Sequence, residues 1–169
     1  YCGQKYPAKA TKTVKSGTTK ISITKLNGKK LNLKKNFKVY VVAKDGDIQL
    51  GKSITAHVAG RKNAKATNAK SIKLSKSSVS LTVGKTSKIK ATIVLVDPKK
   101  KELTHVSKFR YASSDTSIAT VSKSGKITAK KKGTCYVYVY ANNNIYKKDF
   151  VDYLFEFIKA YKNMKLGPL

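Results

Sequence analysis

The sequence predicts an all-β fold of the sandwich type, and three observations carry that prediction. Apolar residues alternate with polar ones at period two over several short runs, which puts one face of each run into a core and the other outside. The runs are separated by Gly, Asn, Asp and Ser clusters at short spacing, such as Leu26-Asn27-Gly28-Lys29 and Ser122-Lys123-Ser124-Gly125, which read as tight turns. Short strands at this spacing suit two packed sheets.

The elements follow in order. Val14 and Lys20-Ile21-Ser22-Ile23-Thr24 open the first part, followed by the Asn27-Gly28 turn, Leu31 and Leu33. The clearest early strand sets Phe37, Val39, Val41 and Ala43 on one face and Lys38, Tyr40 and Val42 on the other. Asp45-Gly46-Asp47 breaks it, and Ile54-Thr55-Ala56-His57-Val58-Ala59 makes another. The polar stretch around residues 61–69, rich in small residues and without apolar period, reads as a linker. A second unit starts with Ile72-Lys73-Leu74 and Val79-Ser80-Leu81-Thr82-Val83, ended by Gly84. Its long strand points Ile89, Ala91, Ile93 and Leu95 inward, with Lys88, Lys90 and Thr92 outward. After the Asp97-Pro98-Lys99-Lys100-Lys101 loop comes YASSDTSIATVSKSGKITAKKKGT, residues 111–134: a turn, a strand, a Gly turn, a strand and a basic loop. Cys135, Val137, Val139 and Ala141 then face inward and Tyr136, Tyr138 and Tyr140 outward. In the tail, Asp149 is read as a helix cap, with Phe150, Leu154, Phe155, Ile158 and Tyr161 at helical spacing and Gly167-Pro168 as the stop. A competing reading pairs Phe150 to Phe155 as a last strand, because aromatic residues favour strands.

Residues 111–134 resemble the signature of bacterial immunoglobulin-like domains of group 2: an aromatic residue, a Ser-Ser-Asp turn, Ala-Thr-Val, Gly, a hydrophobic-Thr-Ala strand and Gly-Thr. Tyr111 stands where that family usually has Trp. Leu31, Phe37, Val39, Val41 and Ala43 in turn look like the second half of a fibronectin type III domain, with Phe37 in the place of a Tyr. The resemblances imply immunoglobulin-like β-sandwich modules in tandem: a partial fibronectin type III-like domain over 1–60, a linker over 61–69, a bacterial Ig-like domain over 70–148 and an atypical tail over 149–169, read as an amphipathic helix. A sandwich lacking its first strands would expose an inner face and edges.

Composition bounds the function. A chain of 169 residues with 40% hydrophobic content suits one or two domains with real cores. Lys and Arg number 37 against 8 acids, a net charge of +29, and Arg61 and Arg110 supply all the arginine. Lysine is a hydrated point charge on a flexible stem, so the expected attraction to polyanions is diffuse and salt-dependent. No apolar run nears the ~20 residues of a membrane helix. No apolar leader opens the chain and no Met begins it, so it reads as a piece of a longer protein.

Chemistry-bearing residues are few. Ser113-Ser114-Asp115 and His105 contain the residue types of a nucleophilic triad, but a turn capped by Ser and Asp side chains explains them better. Asp45 and Asp47 lack the further oxygens calcium needs and read as a hairpin turn. Two cysteines, Cys2 and Cys135, and two lone histidines build no metal spacing, and the cysteines read as idle thiols. His57 reads as a half-exposed sheet residue. No enzyme activity, metal or cofactor is expected.

The surfaces remain. Lysine runs stand at Lys34-Lys35, Lys99-Lys100-Lys101, Lys130-Lys131-Lys132 and Lys147-Lys148. The two triple runs should fall at opposite ends of a sandwich and form a basic coat that contacts polyanions. Tyr136, Tyr138 and Tyr140 are candidates for stacking on sugar rings, against the plainer reading that they pack on lysine stems and neighbouring strands. The expected protein is a non-enzymatic stalk, spacer or adhesion module of a secreted or surface protein. The resemblance implies a Gram-positive bacterial source. The expected partners are anionic cell-wall polymers or acidic host glycans, and neighbouring modules. Carbohydrate binding through the tyrosines is the first alternative and nucleic-acid binding through bare charge the second. With little arginine and no recognised motif, no specific nucleic acid is expected.

Overall fold

The computed structural model describes residues 13–15, 17, 20, 22–26 and 28–152. Among these there is no helix. Fifteen strands follow one another: β1 (Lys25–Leu26), β2 (Lys29–Lys30), β3 (Phe37–Val39), β4 (Val42–Asp45), β5 (Ile48–Lys52), β6 (Ala56–Val58), β7 (Ala69–Leu74), β8 (Ser78–Ser80), β9 (Thr86–Lys88), β10 (Ala91–Leu95), β11 (Arg110–Ser113), β12 (Ala119–Val121), β13 (Lys126–Ala129), β14 (Cys135–Tyr140) and β15 (Tyr146–Asp152).

The second unit is a sandwich. One sheet runs β11-β14-β15-β8, antiparallel except that β15 and β8 run parallel. Facing it are the β12-β13-β9 sheet and the β7-β10 pair. β9 and β10 are two parts of one long strand, split at Ile89-Lys90. Ile89 donates from its backbone to Gly125 O at 2.9 Å, and Ser75 donates to Lys90 O at 3.0 Å, so pairing continues on both sides of the split. Alternation fills the space between the layers. Val137 and Val139 of β14 are fully buried, together with Ile127 of β13 and Ala119 of β12, while Ile72, Ile89, Cys135 and Val151 complete the core.

The signature stretch has a physical reason at each point. Asp115 Oδ1 accepts from Ser117 N at 2.8 Å and Ser117 Oγ at 2.6 Å, and Ser113 Oγ donates to Asp115 O at 2.9 Å. These bonds shape the turn ahead of β12. Gly125 sits at φ +78° with the Tyr111 ring directly over it; a Cβ there would lie 2.8 Å from the ring. Turn and aromatic thus form one packed unit, and Phe109 lies 6.4 Å from Tyr111 between ring centres.

The tail corrects the sequence reading. Asp149 does not cap a helix: it lies within β15, opposite Val137, with its side chain buried. The competing strand reading is the right one through Asp152, and residues 153–169 lie outside the described part. Two ladders hold β15, to β14 over Tyr146–Val151 and to β8 over Phe150–Asp152. Backbone pairing on both edges, with Val151 buried between the layers, outweighs the local helix signals.

The first unit departs from expectation in its longest strand. Phe37 to Ala43 is not continuous: β3 pairs with β6, and β4 pairs with β5. Asp45-Gly46-Asp47 is a hairpin turn, with Asp45 opposite Ile48 and Gly46 at φ +54°. Little covers these strands. Val41, Ile48 and Leu50 are 68%, 69% and 68% exposed, which leaves apolar side chains of this unit open to solvent.

Candidate functional site

Candidate functional side chains concentrate in three places: the junction between the units, the lysine runs and the tyrosine face. The junction is built around the β14–β15 turn, Asn142-Asn143-Asn144. Asn144 takes φ +62°, a conformation Asn tolerates better than most residues. Each of the three amides then holds a different segment. Asn142 Nδ2 donates to Leu103 O at 2.9 Å, Asn143 Nδ2 to Ala69 O at 2.9 Å, and Asn144 Nδ2 to Ile54 O at 2.6 Å. His57 N, on β6, donates to Asn142 O at 2.6 Å.

Arg110 adds a second clamp. Its guanidinium donates to Thr55 O of the first unit, and within the second to Ala141 O, to Asn142 O at 3.1 Å and to Asn144 Oδ1 at 2.8 Å. The planar fork suits such multiple donation. Burial lowers its pKa from the usual arginine value. The residues between the units are held as well. Asn68 Oδ1 accepts from Ala59 N at 2.8 Å and its Nδ2 donates to Ala59 O at 2.9 Å. Asn63 Oδ1 accepts from Lys65 N at 2.9 Å and Ala66 N at 2.8 Å. Thr67 N donates to Lys101 O at 2.8 Å.

His57 and His105 meet across this junction, Nδ1 to Nε2 at 3.0 Å. Burial, then the His105 ring, Lys38 and Arg110, push the His57 pKa down to about 4. Burial also lowers that of His105. Both imidazoles are therefore neutral at pH 7, one donating to the other. The triad reading is thereby displaced: His105 is engaged with His57, while Ser113 and Asp115 are spent on their own turn. The Cys135 thiol is free, buried 3.9 Å from Ser113 Oγ and pushed up by burial, which makes it unreactive. Cys2 lies outside the described residues. Among the described residues no group of three or more His, Cys, Asp or Glu could hold a metal ion.

The two lysine triplets lie at opposite ends of β14. Lys130 and Lys131 donate from their backbones to Ile118 O, on the side where β14 begins. Lys99, Lys100 and Lys101 sit where it ends, at the junction: Lys100 Nζ donates to Asn63 O at 2.9 Å and lies 3.7 Å from Asp97 Oδ2. Lys132 flanks the distal loop.

The tyrosine face gains a fourth ring from the neighbouring strand. Tyr138 stacks on Tyr140 at 6.1 Å between centres, and Tyr146 contacts both, at 5.8 and 5.6 Å. Tyr136 lies 6.5 Å from Tyr138 and carries Lys148 Nζ 4.0 Å over its ring. The rings are half-buried against one another and Tyr146 is exposed. This is cross-strand packing with a cation over one ring, the plainer of the two sequence readings.

Sequence reasoning missed the junction. Three consecutive Asn and one of the chain's two arginines were its visible traces, but nothing local shows that they face another unit.

The fold defines a class: an immunoglobulin-like β-sandwich module, joined at one end to a smaller β unit. Residues 68–149 match the family model of the bacterial Ig-like domain (group 2). No curated protein matches the chain. Among the described residues no helix is long and apolar enough to cross a membrane.

Proposed function

We propose that the chain is a non-enzymatic spacer within a bacterial surface or secreted protein, held near anionic polymers by its lysine coat. The observation that carries the reading is the charge: 37 basic residues against 8 acids leave at least 29 lysines and arginines without a carboxylate of their own. The runs are spread over both ends of the sandwich rather than focused, which suits a polymer that drapes over the module. The match of residues 68–149 to a bacterial Ig-like family, whose members are commonly extracellular or surface-associated, supports the location. The clamped junction supports the spacer role, because a fixed angle transmits reach better than a flexible link.

The test is binding to immobilised teichoic acid, heparin, sialylated mucin, a neutral glycan and DNA at low and near-physiological salt. Binding to every polyanion, falling steeply as salt rises through a Debye length of about 10 Å at 0.1 M, is the expected result. Salt-insensitive binding to the neutral glycan, abolished by Tyr138→Ala, would instead establish the tyrosine face as a sugar site.

A further inference from the structure

A concave pocket of about 400 Å³ opens at the junction, and among its lining residues are Lys34, Lys35, Lys38, Lys62, His57 and His105. None of the residues lining it is acidic. Four stretches of chain converge there: the segment leading into β3, β6, the turn after Gly60, and the loop carrying His105. Unlike the lysine triplets, this cluster has preformed walls. Asn36 Oδ1 accepts from Gly60 N at 2.8 Å and from Asn63 Nδ2 at 3.0 Å, which fixes the amide in the wall of the pocket. Arg61 N donates to Leu33 O at 2.9 Å. Gly60 packs so closely that a Cβ would lie 2.3 Å from Lys34 O.

We propose that this pocket is a binding site for a phosphate group, presented either free or as a phosphodiester of a polymer. Four lysines in one concavity raise the local potential well above that of a dispersed coat. The fixed backbone reduces the ordering cost of binding. The groups facing His57 are His105, Lys38 and Arg110, all neutral or cationic, so a cation is disfavoured and an anion relieves their mutual repulsion. By linkage, a bound anion raises the histidine pKa values, so a phosphodiester, whose charge is constant in this range, binds more tightly as pH falls toward the His57 value of about 4. The site deepens the polyanion reading and rests on it only for the source of the ligand.

The experiment is a backbone NMR titration of the full chain with inorganic phosphate at constant ionic strength. Saturating shifts at Gly60, His57 and Asn63 are expected. The double variant Lys34→Ala/Lys62→Ala should weaken the site by about tenfold or more. Removing three charges at the far end, with Lys130→Ala/Lys131→Ala/Lys132→Ala, should leave it within about twofold, since distant exposed charges are screened. Linear, non-saturating shifts, or equal losses in the two variants, would overturn the site while leaving the coat untouched. Failure of polymers to bind at low salt would instead sink the coat and leave the phosphate titration standing. A short glycerol-phosphate oligomer is the second probe. Tighter binding than inorganic phosphate assigns the source to a polymer, and equal binding assigns it to the free ion.

Discussion

At the residue scale, the signature turns out to be a set of close approaches. Tyr111 and Gly125 belong together because a ring lies where a Cβ would be, and because φ +78° strains any residue with a side chain. Gly133 repeats the arrangement with Ile118 Cδ1 at 2.8 Å and φ +142°. The sequence shows these glycines as turn residues; that they are also contacts is a tertiary fact. Gly125→Ala is expected to cost at least about 1–2 kcal/mol from the left-handed backbone alone, with displacement of the Tyr111 ring adding to it. For a domain of this size that lowers the melting temperature by roughly 4–8 °C per kcal/mol. Gly84→Ala makes a useful contrast, having φ +80° but nothing within 4 Å. Its loss should be the smaller of the two, and thermal unfolding followed by circular dichroism checks the difference.

At the scale of elements, strands with one face in the sandwich core were legible and those outside it were not. β14 reads directly from the sequence because each inward position is buried and each outward one half-buried. β10 does too, with Ile93 and Ala91 packed against the core. The first unit's Phe37 to Ala43 run alternates equally well, yet it splits between two partners. With Val39 and Val41 exposed, no core holds its pattern to a single strand. β15 was ambiguous: Asp149 and the spaced aromatics imitate a helix start while aromatic propensity favours a strand, and its neighbours on two edges decide for the strand. That placement makes a prediction. Val151 is 3% exposed and pairs opposite both Cys135 and Val79. Val151→Ala should destabilise the module by about 1.5–3 kcal/mol. Were 149–152 a solvent-facing helix start, the same change would be nearly neutral or slightly favourable. Urea unfolding of the chain separates the two outcomes, with the midpoint moving and the slope unchanged.

At the scale of the whole molecule, charge and the junction act on each other. Each unit carries excess positive charge, and the clamp brings Lys38, His57, His105 and Arg110 together where the units meet. Neutral histidines make this tolerable at pH 7. The His57 pKa stands at about 4 in the folded chain against 6.5 for an unperturbed histidine. Between those values the unfolded chain binds the proton and the folded one does not. Stability contributed by the neutral ring is therefore fully present above about 6.5 and declines as pH falls toward 4. Net charge also grows as carboxylates protonate, so the loss must be separated from general repulsion. His57→Gln keeps a polar side chain and removes the titration. The wild-type melting temperature should fall more between pH 7 and pH 4.5 than that of the variant, and the gap should narrow in phosphate buffer if an anion occupies the pocket. Parallel pH profiles for the two proteins would show that the histidine pair does not govern the junction. The acid sensitivity of the protein would then lie in the long-range field of its lysines, and high salt should relieve it in both proteins to the same extent.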